Sequence, residues 1–595
     1  MLIGLLVIGA GIGLTIALGG FGGGGGGNVP VPPKIDEEPG SASPTGPAWM
    51  KDVTPETGIA FTYRNGEEAN HFAIIESLGG GVGLIDYDRD GLLDIFVPAG
   101  GYYEGKNVLG HPSKLYRNLG GFKFQDVSTA VGLDAVKWHY SHGAACFDYD
   151  NDGFTDILVT GYNRLILLHN EADGTGGRKF FDATPKSGLN EQLWSTSAAW
   201  GDLDGDGFAD LYVAHYGNWG FGGTGPDGKP YRHPEDCTYD GKTRDVCQPK
   251  RFEALPHSVY KNNGNGTFTD MSKLFIAKNG GKGIGVVIAD LNADGKPDVY
   301  VANDTDDNYL WFNKRTKVGE WAFEEVALLA NCARDDRGTP NGSMGIDISD
   351  YDRSGRGSII VSNYEQELPA LYNNRATAER MSFNYATVVS GIGKIGGIYV
   401  NWGIGFLDAD RDGWDDLAIF NGHAIRYPAA KFGRQQAALL LRNQKGKFSQ
   451  TVGQGGTYFD AKHNARGAAL GDLDNDGKVE AVVSHLNEPL AVLKNVTADE
   501  NHWIGLELAP KGNRSFVGAK VIVESANGTN TRYQKGGASY GSTADPRHVV
   551  GLGAAKTASV KVVWPDGATE EWKDLASGGY WRLSEGMPGQ AEKRK

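Results

Sequence analysis

Residues 86–94 read DYDRDGLLD. Carboxylates at positions 1, 3, 5 and 9 of so short a stretch repel one another unless a cation lies among them. Alternate residues of a tight turn aim side chains 1, 3 and 5 at one point. The glycine at position 6 permits the sharp bend, and the carbonyl at position 7 with the acid at position 9 completes a cage of oxygens. Hard oxygen ligands in an irregular cage suit Ca²⁺ better than Mg²⁺, which keeps its waters. No Cys or His lies within the stretch, which argues against zinc or copper. The stretch is not an EF-hand, because the twelfth position is Val97 rather than Glu and strands, not helices, are expected on either side. Read alone, it is equally an Asx-rich turn that binds nothing.

Repetition changes that balance. Blocks of the same form stand at 86, 148, 202, 290, 350, 408 and 472. The candidate ligands are Asp86, Asp88, Asp90 and Asp94; Asp148, Asp150, Asp152 and Asp156; Asp202, Asp204, Asp206 and Asp210; Asp290, Asn292, Asp294 and Asp298; Asp350 and Asp352; Asp408, Asp410, Asp412 and Asp416; and Asp472, Asp474, Asp476 and Glu480. In the fifth copy Ser354 and Ser358 replace two carboxylates, so weak binding or none is expected there. The formal net charge is −15; seven Ca²⁺ bring it to about −1 and six to about −3, so the loops account for most of the acidity. Chelation is expected to destabilise the protein, because binding energy is also folding energy.

Elements must hold these loops. Before each block stands a run of small and β-branched residues, such as GGGVGLI, HGAACF and GIGVVIA; after it comes a short apolar strand, such as IFV, ILV or VYV; further on comes a turn with Asn and Gly, as in LYRNLGG and VYKNNGNG. Runs of four to eight residues bounded by turns read as strands. Three or four strands per unit, repeated seven times, predict an all-β fold: a seven-bladed β-propeller over residues 49–500. An open β-solenoid is the runner-up; its repeats are usually shorter and need not stop at seven. The longest gap between blocks marks an insertion at 216–257, holding Trp219, Phe221 and Tyr231. Residues 501–585 alternate as strands without the motif and predict a small, sandwich-like C-terminal β-domain; residues 586–595 are expected to fray.

Composition narrows the class. Of 595 residues 88 are Gly, so the chain turns often, and the 10% aromatic share argues against disorder. An acidic body disfavours nucleic acid as a partner and favours cations. The run from Leu2 to Leu18 carries no charge and is expected to be a signal or membrane anchor over residues 1–21. Residues 22–48 follow as a Gly- and Pro-rich tether. Everything beyond is then extracytoplasmic, secreted or held at the membrane, in a compartment that permits disulfides. Cys237 and Cys247 flank a turn-rich gap and are candidates for a disulfide; Cys146 and Cys332 stand beside apolar strands and read as buried thiols.

The repeats resemble FG-GAP/VCBS propeller repeats, as in integrin α heads. The tail, in NRSFVGAKVIVES, GGASYGSTADPRHVVGLG and VKVVWPDGATEEW, resembles the ASPIC/UnbV domain. Together they look like the cartilage acidic protein/UnbV family. The resemblance spans residues 50–585 and implies a secreted or surface calcium-binding propeller with a C-terminal β-module. It implies little about activity.

Five residues past the ninth position of each loop stand Ala99, Gly161, His215, Asn303, Asn363, Asn421 and His485. If those strands run away from the loops, five polar side chains ring the opposite face near the axis. Trp219 in the insertion would then be part of a lid over a ligand site. The alternative is that these Asn and His cap turns or bridge blades. GGASYGSTADPRH, with Arg547 and His548, is either a glycan- or anion-contacting loop or a turn packed on the propeller. Two functions remain open: a binding or adhesion module for a glycan, matrix component or protein, or an enzyme with a biosynthetic or polysaccharide-modifying activity on the same face.

Overall fold

The computed structural model describes residues 46–225, 228–451 and 453–594. The expected signal or anchor and most of the tether lie outside the described residues. Among the described residues no helix is long and apolar enough to cross a membrane.

The repeat unit becomes a four-stranded antiparallel sheet, and seven such sheets, or blades, form among the described residues. Blade 4 shows the plan. GIGVVIA forms the first strand, Gly283–Ala289, buried at every position. The acidic loop follows, then Asp298–Asn303, Tyr309–Asn313 and Phe323–Glu325 in simple up-and-down order. First strands are built of small and β-branched residues because they are covered on both faces. Each contacts the first strand of the next blade, and the contacts close from blade 7 back to blade 1. Blade 7 supplies three strands from residues 465–495; its fourth is Met50–Asp52, paired antiparallel with Ala491–Asn495. A strand from ahead of blade 1 thereby completes blade 7 and ties the two ends of the ring together. The fold is therefore an all-β propeller whose repeats differ mainly in two places: a hairpin, Gly101–Glu104 with Asn107–Gly110, inserted in blade 1, and the long insertion in blade 3.

Residues from 502 onward form two further four-stranded sheets. Both contribute to one core: Ile504, Leu506, Val550 and Leu583 from one sheet meet Val521, Val523, Val560 and Trp572 from the other. The tail expected to fray instead carries the strand Ala591–Lys593, paired with Tyr580–Ser584. It forms because Leu583, the partner of Ala591, belongs to that core.

The stretch GGASYGST leaves the C-terminal module and runs into the axis of the propeller. Gly536 exchanges backbone hydrogen bonds with Ile288 of blade 4, Ser539 with Ile346 of blade 5, and Thr543 with Val82 and Leu84 of blade 1. Gly541 takes the Ala144 amide of blade 2 and gives its own amide to Ser197 of blade 3. The segment thus satisfies inward-facing backbone groups that a bare channel would leave to water. Such approach requires glycine: a Cβ on Gly536 would lie 1.7 Å from the Trp200 carbonyl, and one on Gly81 would lie 1.8 Å from that of Gly541. Of the two readings of GGASYGSTADPRH, packing on the propeller is the one found.

Candidate functional site

Every block forms a tight loop between the first two strands of its blade. In loop 1, Asp86 accepts the backbone amides of Asp90 and Gly91, and Asp90 accepts that of Leu92. The ligand oxygens of Asp86, Asp88 and Asp90 lie within 4.8 Å of one another, as do those of Asp148, Asp150 and Asp152, and of Asp202, Asp204 and Asp206. Burial pushes the Asp86 carboxyl up to about 6 and that of Asp148 to about 7, with neighbouring aspartates adding to the rise. Buried oxygens without a hydrogen-bond partner are left on Asp88, Asn292, Asp408, Asp410 and Asp474, at positions 1 and 3 of loops 1, 4, 6 and 7. Convergent acceptors with no donor are what an oxygen-ligated cation fits.

Position 9 has a second task. Asp94 accepts the amide of Tyr87, at position 2 of its own loop, and the amide of Asn118 on the third strand. Asp156, Asp210, Asp298, Asp416 and Glu480 repeat both contacts. With one amide apiece these oxygens keep a lone pair, except Asp156 Oδ1, which also meets His169 at 3.1 Å.

The third-strand asparagine then reaches back to the loop of the preceding blade. Asn118 donates its side-chain amide to Leu473 in loop 7, and Asn170 to Tyr87 in loop 1. Asn262, Asn313, Asn374, Asn443 and Asn495 do the same to Tyr149, Leu203, Leu291, Tyr351 and Ala409. All seven loops are thereby tied in a ring, each position-2 carbonyl held by the following blade. The signal was the Asn present in every third strand; its partner lies in another blade, which no local pattern discloses.

The residue before that Asn places a cation on the loop in five blades. Arg117 lies 2.8 Å from Asp88, Lys494 2.7 Å from Asp474, and Lys261 and Arg442 pair with the acids at positions 3 and 5 of loops 3 and 6. His169 lies between Asp150 and Asp156. Blades 4 and 5 have Phe312 and Asn373 here instead.

The C-terminal module sits on this loop face. Gly551 donates its amide to Asp408 in loop 6, and the Tyr580 hydroxyl donates to Asp472 in loop 7 at 2.7 Å. The degraded loop 5 is a docking point: its Gly355 carbonyl accepts from both Lys520 and Tyr533, and its Arg353 donates to the Asn527 carbonyl. Ser358 replaces the ninth-position acid and still accepts the Asn374 amide. A cavity of about 1240 Å³ remains between module and propeller, with Trp200, Phe406 and Asp415 on one side and Arg532, Lys535 and His548 on the other. Two ion pairs join its walls, Asp415 with Arg532 at 2.7 Å and Asp347 with Lys535. Arg547 is spent on Asp545, at 2.9 Å.

The expected polar ring on the opposite face does not face solvent. His215, Asn303, Asn363, Asn421 and His485 are all buried. Their groups serve their own blades: His215 meets Ser258 at 2.9 Å, and Asn303, Asn363 and Asn421 each donate at 2.7 Å to a carbonyl on the way to the third strand. His485 accepts from the Tyr458 hydroxyl. The reason is that second strands end beneath the covering segments. Trp219 is fully buried there, its indole N–H on His233, in an apolar cluster with Ile75, Leu78, Trp194, Trp402 and Tyr540. Cys237 and Cys247 are bonded within this cover, and Cys146 and Cys332 are buried thiols. The cover is pinned through Asp245, which accepts the amides of Arg426 and Tyr427. Phe72, at φ +56°, lies between the guanidiniums of Arg244 and Arg426, which are 5.1 and 4.4 Å from its ring centre.

Two family descriptions match the chain: FG-GAP-like repeat at residues 86–159, 148–213 and 256–301, and ASPIC and UnbV at 509–589. It is 24% identical over 512 residues to Cartilage acidic protein 1 of Xenopus tropicalis, covering 82% of this chain and 70% of that protein. To the Homo sapiens protein of the same name it is 23% identical over 521 residues, covering 84% and 70%. Among solved structures, a lectin of Agrocybe aegerita that recognises non-reducing terminal N-acetylglucosamine aligns at TM-score 0.38 and 15% identity, over 68% of this chain and 85% of that one. The chain thus carries the FG-GAP-like repeats and the ASPIC and UnbV domain that its sequence resembles.

Proposed function

We propose that this chain, an assembly of FG-GAP-like repeats closed by an ASPIC and UnbV domain, is an extracytoplasmic calcium-binding scaffold that presents a binding module to a glycan, matrix component or protein. The observation that carries the calcium reading is the set of buried, donorless oxygens at positions 1 and 3 of loops 1, 4, 6 and 7, which loops 2 and 3 match in sequence. Loops 1, 2, 3, 4, 6 and 7 would each hold an ion through the side chains at positions 1, 3 and 5, the carbonyl at position 7 and the acid at position 9. A bound ion supplies the positive charge that lets those carboxylates ionise side by side. Asp408 and Asp472 hold the C-terminal module as well as lining their loops, so filling the loops and seating the module are linked. The interdomain cavity is then where a small ligand would meet both parts at once, a placement typical of ligand sites.

The relatives are named as acidic cartilage proteins, and this chain is acidic too, which supports an extracellular setting. The enzyme reading relied on the polar ring of the opposite face, and those groups are engaged within their blades.

Metal analysis of the full chain after dialysis, with melting in Ca²⁺ and in EDTA, tests the proposal. About six Ca²⁺ per chain and a lower melting temperature in EDTA are expected. No retained calcium together with an unchanged melting temperature would overturn it.

A further inference from the structure

In each blade the fourth strand runs away from the acidic loops, so the segment crossing to the next blade leaves on the opposite face. These exits are equivalent by repeat. A Ser or Thr hydroxyl at the start of the exit accepts an amide of the third strand in five of them, at Thr54, Ser128, Thr184, Ser272 and Thr387. The two residues after it are exposed. In blades 7, 1 and 2 they are Pro55–Glu56, Thr129–Ala130 and Pro185–Lys186. The three adjacent blades 3, 4 and 5 differ. Blade 3 has Lys273–Leu274 followed by Ile276, blade 4 has Leu328–Leu329, and blade 5 has Val388–Val389. Ile276 is 77% exposed, Leu329 81% and Val389 68%. Six of the twelve exposed large hydrophobics among the described residues lie in these three exits. The fold does not require them, because blades 7, 1 and 2 form the same exit without a large aliphatic side chain.

The exits form one arc. Phe275 of the blade 3 exit packs on Phe323 of blade 4 at 4.6 Å. Ala330 of the blade 4 exit accepts the Phe383 amide of blade 5, and Val389 accepts from Lys447 of blade 6. Within residues 271–281, 326–345 and 386–400, Arg334 pairs with Asp307 and Arg337 with Asp335, which leaves Lys273, Lys278 and Lys394 as the cations of the arc outside an ion pair among the described residues.

We propose that this arc rests on an anionic lipid bilayer. Aliphatic tips flanked by lysines insert into the boundary between headgroups and acyl chains while the lysines meet lipid phosphates. The chain brings such a surface near, since residues 2–18 are an uncharged apolar run joined to the propeller by a Gly- and Pro-rich stretch.

The test uses the full chain, so that the N-terminal run is the same throughout. An environment-sensitive fluorophore is attached at L329C, V389C or the repeat-equivalent control T129C, and each is mixed with phosphatidylcholine vesicles with or without phosphatidylglycerol. A blue shift and quenching by brominated lipid at 329 and 389 in anionic vesicles, but not at 129, is the expected result. L328D combined with the 389 label should abolish that quenching. Equal, water-like emission at all three sites would overturn the proposal. So would a concentration-dependent shift at 329 without vesicles, which would assign the arc to contact between copies.

Discussion

The hydroxyl of Tyr540, carried by the C-terminal module, donates a 2.9 Å hydrogen bond to the backbone carbonyl of Leu78, on the far side of the propeller from the acidic loops. Its ring meets Trp402 edge-on at 5.0 Å. One side chain therefore joins the module, the axis of the ring and the covering segment of the opposite face.

Tyr540→Phe should cost about 1 kcal/mol, for one hydrogen bond with a buried carbonyl left open. Tyr540→Ala should cost about 3–5 kcal/mol, as for loss of a buried aromatic, and should also change the near-ultraviolet circular dichroism of Trp402. Urea midpoints at constant slope check the energies. Gly536→Ala should unseat the segment altogether, because the new methyl group would overlap the Trp200 carbonyl.

The asparagine ring makes a prediction that separates scaffold from metal. Asn374→Ala opens two buried carbonyls, of Leu291 and Gly357, and should cost about 2–4 kcal/mol. Its own loop 5 lacks two carboxylates, and the Leu291 carbonyl it holds stands at position 2 of loop 4, outside the ligand positions, so the number of Ca²⁺ bound should stay the same. Calorimetric titration of Ca²⁺ alongside denaturation checks both.

Asp350→Asn should leave the calcium count unchanged, whereas Asp202→Asn should lower it by one and reduce the melting temperature in Ca²⁺ by a few degrees. Metal analysis of the two variants beside the parent decides it. Equal losses in both would make loop 5 a metal site rather than a docking point.

Stability should also vary with pH through Glu76. Burial pushes this carboxyl up from 4.5 to about 7 although Arg426 lies beside it. A group raised on folding holds its proton in the native state, so its contribution is complete below pH about 4.5 and is lost as pH rises through about 7. Glu76→Gln removes the effect. The variant should gain on the parent by on the order of 3 kcal/mol between pH 4.5 and 8. Denaturant midpoints across that range measure it; a difference independent of pH would exclude it.

Much of the scaffold was legible in the residues. The spacing of DYDRDGLLD and its six relatives predicted repeated strands, and each copy became a loop between two strands of one sheet. The fifth copy stood apart already through Ser354 and Ser358. Its use as a seat for Lys520 and Tyr533 was not legible, because those partners lie some 165 and 178 residues away in the chain. For the polar positions His215 to His485 the sequence left two roles open, a ligand ring or turn caps, and their side chains are buried. Strand direction places them at one end of the sheet, but whether that end is open depends on the segments that fold over it.

By itself the sequence determined what repeats: the period of the strands, the acids of the loops, the asparagine of each third strand and the thiols beside apolar runs. These follow from nearest-neighbour chemistry, which a local pattern records. Tertiary structure alone decided which face was covered and by what. The axial segment, the cover with Trp219, the asparagine links between blades and the apolar arc all depend on which blades become neighbours when the ring closes. DYDRDGLLD read alone is equally a cation loop or an Asx-rich turn; only the closed ring makes its face the seat of a second domain.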